Sequence, residues 1–463
     1  MDSHRTMMMR MLFCTAFLTL HSSLFTSYCC AQKDSVNQLN VDLQFVTHGE
    51  ACGGGLPKSD GKAASVEDKS NFLFGRTRLI VDYQRPNLQA HAVIQNKAVW
   101  GNQNNQALNL YEGWVKLKAD CGLFTKVGRV ALSYDDERIV GANDFATASL
   151  SHDVLIAGYE GYGHQVHAIL GYNQNGANVY KSTYYDINKG SQYYKSMQTL
   201  WYHYDVPKVP LGVSLLFMNV GLQAGYTPDN VNYKYESEHT VDQRFFGGYF
   251  KYHPSFMTLE GSYYKQTGQQ VYIDGTGYLG KIKIDAWMAS VKATVTPADN
   301  YGFELGYDYL SGDDYVPILY GGMVGLPLLE VEGGFSPLYG SRTKFYGIMD
   351  YFYESAYTHG FTPGLQKAFI GGYVKPLTGL KCGAAYHYLA TATSLDNLNS
   401  TLGHAIELQA SYKMTKDVSL VAGYTQMMGT ETMDRLKQGS ASKQARWGWF
   451  SLVVSPRLFT AKW

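Results

Sequence analysis

The chain has 463 residues, with 39 Lys and Arg balancing 39 Asp and Glu, and 38 tyrosines and 48 glycines beside only 13 prolines. A formal net charge of zero gives no whole-protein field for nucleic acid, which is excluded as an expected partner. No run after the first 31 residues reaches about 18 apolar residues, which excludes spanning helices, while tyrosine suits strands and membrane–water boundaries.

Residues 1–31 read as a secretory signal peptide. Arg5 and Arg10 precede an apolar run over 11–20, and Ala31 fits a cleavage position with Cys29 at −3. A lipoprotein reading at Cys29 or Cys30 competes, but Tyr28 is bulky where small residues are wanted. The expected mature chain, 32–463, keeps Cys52, Cys121 and Cys382, an odd and widely spaced set that is no disulfide framework. No Cys/His cluster has metal-site spacing, so neither metal nor cofactor is expected.

From there the period is two. Over 72–82, Arg76, Arg78 and Asp82 oppose Thr77, Leu79 and Val81. Over 88–97, Gln89, His91, Gln95 and Lys97 oppose Leu88, Ala90, Ala92 and Ile94. Over 163–172, Gln165 and His167 oppose Val166, Ala168, Leu170 and Tyr172. Segments of about ten residues with one apolar and one polar face are the mark of membrane barrel strands. The run 209–222, broken by Pro210, Ser214 and Asn219, reads as one well-buried strand.

Short connections at 85–87, 119–122, 161–163, 253–255, 297–300, 377–379 and 415–417 alternate with long polar ones. The long ones are 49–70, 101–107, 134–149, 174–194, 224–240, 267–279, 393–401 and 427–443. Counting 342–353 as a wall strand would give an odd total and two consecutive long connections. Bacterial single-chain barrels have even counts. Residues 312–363 are therefore expected to form one large outer loop, suited to fold into the pore. The fold class is all-β, a transmembrane antiparallel barrel of about 18 strands with short periplasmic turns and long extracellular loops. The last strand is expected over 445–458, and the chain stops at the aromatic Trp463.

Several stretches resemble the alginate-export porin family as it occurs in Bacteroidetes. Residues 127–141, VGRVALSYDDERIVG, match its pattern at Gly128, Arg129, Tyr134, Asp135, Asp136, Arg138 and Gly141, but carry Val130 where the family usually has a polar residue. Ser151-His152-Asp153, YDYLSGD at 307–313 and YGSRTKFYGIMDYFY at 339–353 follow in order. So do 402–412, 418–428 and 432–437, where Ala405 and Glu407 stand in place of two acids. The resemblance covers most of 39–463. It implies a channel in the Gram-negative outer membrane whose best-known relatives pass an anionic uronate polysaccharide. Its expected partners are the bilayer and its lipopolysaccharide, the barrel-assembly machinery, and an anionic poly- or oligosaccharide as cargo.

A polyanion conduit needs fixed cations, and guanidinium offers carboxylates a bidentate fork. The inward-facing candidates are Arg76, Arg78, Lys97, Lys116, Arg129 and Arg138, with Asp135 and Asp136 beside them in the matched motif. Arg342 and Lys344 join if the large loop folds in. Against each stands the plainer reading, a polar residue facing lumen water near Asp82, Glu112, Glu304 or Asp308. The acids 135–137 lack the Gly-centred spacing of a calcium loop. No catalytic residues are expected: His152 and Asp153 are adjacent on a strand and face opposite sides. The alternatives are a general or small-solute porin with the same architecture, a binding or adhesion barrel acting through its loops, and, least favoured, a barrel enzyme.

Overall fold

A computed structural model describes residues 36–54, 69–102, 107–144, 149–174, 194–224, 239–273, 279–313, 331–345, 362–395, 398–437 and 445–463. The expected signal peptide lies outside the described residues. The first half of the wall comprises β1 (Gln38–Gly53), β2 (Lys69–Arg85), β3 (Leu88–Val99), β4 (Ala107–Lys118), β5 (Leu123–Val130), β6 (His152–Gly161), β7 (His164–Tyr172), β8 (Tyr194–Asp205) and β9 (Leu211–Ala224). Then come β10 (His239–Tyr252), β11 (Met257–Ile273), β12 (Leu279–Ala298), β13 (Tyr301–Leu310) and the two-residue β14 (Val331–Glu332). The chain ends with β15 (Leu365–Leu377), β16 (Leu380–Ala390), β17 (Thr401–Lys413), β18 (Val418–Gly429), β19 (Ala445–Val454) and β20 (Arg457–Lys462). Among the described residues two short helices, α1 (Arg342–Phe345) and α2 (Glu431–Lys437), lie in long connections.

These segments form one 20-stranded sheet. With β14 set aside as a patch and β19 and β20 taken as one strand bent at Pro456, eighteen strands make the wall among the described residues. Each pairs antiparallel with its neighbour. The sheet closes where β1 meets β19 and β20, from Gly53↔Arg446 down to Gln38↔Lys462. Closure leaves no free edge to solvate in a membrane.

β13 pairs directly with β15, from Tyr301↔Val374 to Leu310↔Leu365, so no described residue of 311–364 stands between them in the wall. α1 is a single helical turn, and residues 346–353 of the motif stretch lie outside the described residues.

The period of two is physical. Arg76 and Arg78 are buried toward the lumen while Leu79 is 39% exposed on the outer face. Ile169 is fully buried and Leu170 is exposed. The run 209–222 departs from its expected form. Val206–Pro210 is a tight turn, and the strand begins at Leu211. Within it Leu215 and Phe217 face outward and are exposed, whereas Leu216 and Met218 face inward and are buried. The run is continuously apolar because both faces are apolar, one against lipid and one against protein packed inside the barrel.

Short turns gather at one end of the barrel, where Asn37 and Trp463 exchange backbone hydrogen bonds at 2.8 and 3.1 Å. At the turn between β6 and β7, Tyr162 (φ 53°) and Gly163 (φ 80°) are both left-handed, the pair of angles that a two-residue hairpin matching strand twist requires.

Candidate functional site in the barrel lumen

A water-filled lumen wants polar inner faces, yet β8–β12 present Met197, Met218, Val220, Phe245, Tyr264, Ile284, Ala286 and Met288 inward, all buried. Two infolded segments cover them. The first, 131–144, leaves the wall at the end of β5 and contributes Leu132, Ile139 and Val140 to the same core. The second, 333–345, adds Phe335, Tyr339 and part of Phe345. Fully burying one such side chain is worth roughly 1.5–3 kcal/mol, so the packed face sets where the segments sit.

Backbone contacts join the two segments. Val140 and Tyr339 form a parallel bridge, Gly141 N–H donates to Tyr339 O at 2.8 Å, and Ser341 N–H donates to Glu137 O at 2.9 Å. Gly340 permits the approach: a Cβ there would lie 2.2 Å from Arg138 O.

The first segment then spans the lumen as a strap. Asp144 reaches β2, taking Arg76 Nη1 at 2.6 Å and Arg78 through Nη1 at 2.8 Å and Nη2 at 2.9 Å. Asp135 accepts from Trp201 Nε1 on β8 at 3.0 Å and from Tyr264 on β11 at 3.3 Å. Arg138 binds Asp136 at 3.0 Å within the strap and Asp308 on β13 at 2.6 Å. Burial raises the Asp135 carboxyl above its ordinary range, and it raises Asp136 despite Arg138. Burial alone would raise Asp144 too, but hydrogen bonding and charge from Arg78 and Arg76 hold it below the ordinary range.

A cavity lies on each side of the strap. The one on the short-turn side, about 510 Å³, is lined by the carboxylates Asp135, Asp136, Glu260, Glu304, Asp308 and Glu407 and by the cations Arg138, Lys251, Lys292, Lys344 and Lys367. Six acids against five fixed cations, with His203 and His387 beside them, make this lining balanced rather than basic. Lys251, Glu260 and Lys292 are direct cross-strand partners of alternating sign. The cavity on the long-loop side, about 320 Å³, is lined by Gln95, Lys97, Asn109, Tyr111, Ser149, His152 and Asn173 and, where β5 stops, by Arg129 and Asp153.

The sequence-derived candidates thus fall into separate places. Arg76, Arg78 and Lys97 stand together, the arginines on Asp144 and Lys97 on Ser149 Oγ at 2.7 Å. Arg138, Asp135, Asp136 and Lys344 belong to the central constriction, where Lys344 donates to Asp136 O at 3.2 Å. Lys116 is near the short turns, 2.8 Å from Glu160. The side chain of Arg342 lies outside the described residues.

Arg129 sits at a break in the wall, on the outer face by strand parity yet bordering the long-loop cavity. It shares its face with Leu123 and Val127, which are exposed to the outside, while Phe124 and Val130 are buried inward. Its guanidinium grips Asp153 on β6 at 2.7 and 2.8 Å and donates to Leu110 O on β4 at 3.3 Å. It therefore closes the wall where β5 stops. Asp144, Lys251, Glu260, Lys292 and Lys367 were not singled out in the sequence. Inward parity on their strands would have found the four charged residues of β10–β12 and β15, whereas nothing local marks Asp144.

A closed 18-strand antiparallel barrel constricted by infolded loops is the porin fold. OccK5 (OpdH) of Pseudomonas aeruginosa superposes with a TM-score of 0.55 at 11% identity, over 91% of this chain and 98% of its own. OccK2 (OpdF) of the same organism, solved in complex with glucuronate, gives 0.57 at 11%, over 91% and 98%. A BenF-like porin from Pseudomonas fluorescens Pf-5 gives 0.57 at 10%, over 91% and 99%. At such identities the likeness is one of fold. No protein-family profile matches the chain, and no curated protein matches it in sequence. The comparisons support a porin-type barrel and do not show the alginate-export family.

Proposed function

We propose that this protein is an outer-membrane channel that passes small polar solutes by diffusion past a charge-balanced constriction, and is not an enzyme. One observation carries the reading: the strap crosses the lumen and its cations are already engaged by carboxylates, Arg76 and Arg78 by Asp144 and Arg138 by Asp136 and Asp308. A polyuronate conduit needs cations that bind cargo weakly and repeatedly, and paired arginines offer little of that. A single sugar-sized molecule with both hydrogen-bonding faces and a charge suits the lining better. The porin fold of the neighbours, one of them holding a glucuronate, supports passage of a monomer over passage of a polymer. The alginate-type polyanion remains the rival cargo.

Planar-bilayer recording tests this directly. The expected result is stable conductance with little preference between K⁺ and Cl⁻, and no block by an oligouronate. Strong anion preference with oligouronate block would replace the small-solute reading by the polyuronate one. A barrel without conductance would leave the loop-based binding reading.

A further inference from the structure

We propose that the outer face of β10–β12 binds the phosphate groups of the bilayer's outer-leaflet lipid A. The proposal rests on the outer-membrane reading above and names a partner site on that membrane. Parity sets the face. Gln243 and Phe245, Tyr264 and Gln266, and Ile284 and Ala286 are all buried inward, so Arg244, Lys265, Lys281 and Lys283 point outward.

Register sets the height. Phe246, Lys265 and Trp287 form one cross-strand row; Arg244, Thr267 and Asp285 form the next toward the long loops, with Lys283 and Lys281 beyond. Below them the outer face turns apolar, with Tyr263 and Phe250 exposed there. Outward aromatic side chains of a membrane barrel mark the interface, so these cations stand at headgroup level on the side of the long loops.

Charge sets the chemistry. Lys265 is paired with Asp285, and Asp242 shares the outward face two residues from Arg244; Arg244, Lys281 and Lys283 are exposed, make no ion pair among the described residues, and leave the face with an excess of positive charge. The excess is not repeated on β5–β9. At the corresponding edge of β5–β9 the outward groups neutralise each other, as Arg129 with Asp153, or are uncharged, as Gln198 with Asn219. By strand spacing, the Cα atoms of Arg244 and Lys283 are roughly 12 Å apart. Long side chains on that span can hold the separated phosphates of one headgroup, with the guanidinium giving a bidentate grip. Lysine stems can lie along the apolar surface meanwhile.

The test is native mass spectrometry of the purified full chain with bis-phosphorylated lipid A. Phosphatidylcholine is the neutral control and inorganic phosphate the competitor. The wild type is expected to retain lipid A over phosphatidylcholine, and the combined variant Arg244→Gln, Lys281→Gln, Lys283→Gln to lose about tenfold or more of it. Lys283→Arg is expected to keep it. Conductance and heat-modifiable migration of the variants show that the barrel is intact. Equal retention by wild type and triple variant, or equal uptake of both lipids, would overturn the patch while leaving a conducting channel. Displacement by millimolar-range free phosphate alone would show a site for soluble anions and overturn the lipid assignment. A protein that neither conducts nor inserts would remove the outer-membrane reading and this one with it.

Discussion

Arg138 of the strap and Asp308 of β13 meet through Nη2 and Oδ1 at 2.6 Å, with side-chain exposures of 6% and 2%. They are 170 residues apart, so this one contact ties an infolded loop to the far wall. Asp308 also lies 3.9 Å from Lys367, and Arg138 stacks on Phe345. Removing one partner of a buried pair is costly, about 3–5 kcal/mol, because the other charge is stranded. Arg138→Met is expected to weaken the seating of the strap rather than the barrel. Single-channel recordings should show larger and noisier openings, with new protease cleavage within 131–151. Unchanged conductance and protection would mean that the apolar seat alone holds the strap.

Asp144 takes three hydrogen bonds from Arg76 and Arg78, and both arginines are about 5% exposed. Asp144→Asn leaves two guanidinium charges in the lumen with no countercharge from the strap. The expected outcome is a shift of reversal potential toward anion preference in a salt gradient, shrinking at high ionic strength as screening sets in. No shift would place these cations away from the ion path.

Arg129 supplies the opposite case. Its pair with Asp153 is roughly half-exposed on the outer face, where an ion pair is worth about 0–1 kcal/mol. Arg129→Ala is therefore expected to leave ion selectivity unchanged and to lower barrel stability only slightly. The measurement is reversal potential beside thermal loss of heat-modifiability. A selectivity change would put Arg129 in contact with the conducting path through the cavity of the long-loop side.

These residues also show what the sequence made legible. The wall was readable because lipid demands an apolar outer face at every second position, as Leu79 opposite Arg78 shows. The exclusion of 342–353 from the wall was read from parity; β13 pairs with β15, and residues 346–353 lie outside the described residues. A parity count from the inward Phe124 puts Arg129 with Val127 on the outer face, yet where the wall breaks after β5 it also borders the long-loop cavity. The turn at 206–210 was hidden because the strand after it is apolar on both faces. The strap was the least legible part. Its position depends on pairings such as Asp144 with Arg78, 66 residues apart, and no local pattern encodes a long-range contact of that kind.

A titratable group, Glu332, stands where the second infolded segment leaves the wall. β14 pairs with β12 through Glu332 and Ile284, and the next residues, Gly333 and Gly334, donate to Asp313 at 2.9 and 3.1 Å. Burial, with the charge of Asp313 adding to it, pushes the Glu332 carboxyl from 4.5 up to about 7. Its Oε2 is buried without a hydrogen-bond partner. A raised carboxyl favours the seated segment when protonated. Below 4.5 the group is neutral seated or released and nothing is lost; between 4.5 and about 7 ionisation favours release; above that the penalty is constant. Conductance noise is therefore expected to grow as pH rises through this window and then level off. Glu332→Gln should hold the low-pH behaviour throughout. A wild-type channel equally quiet from about pH 4 to pH 8, or a variant with the same pH profile, would show that seating does not depend on this carboxyl.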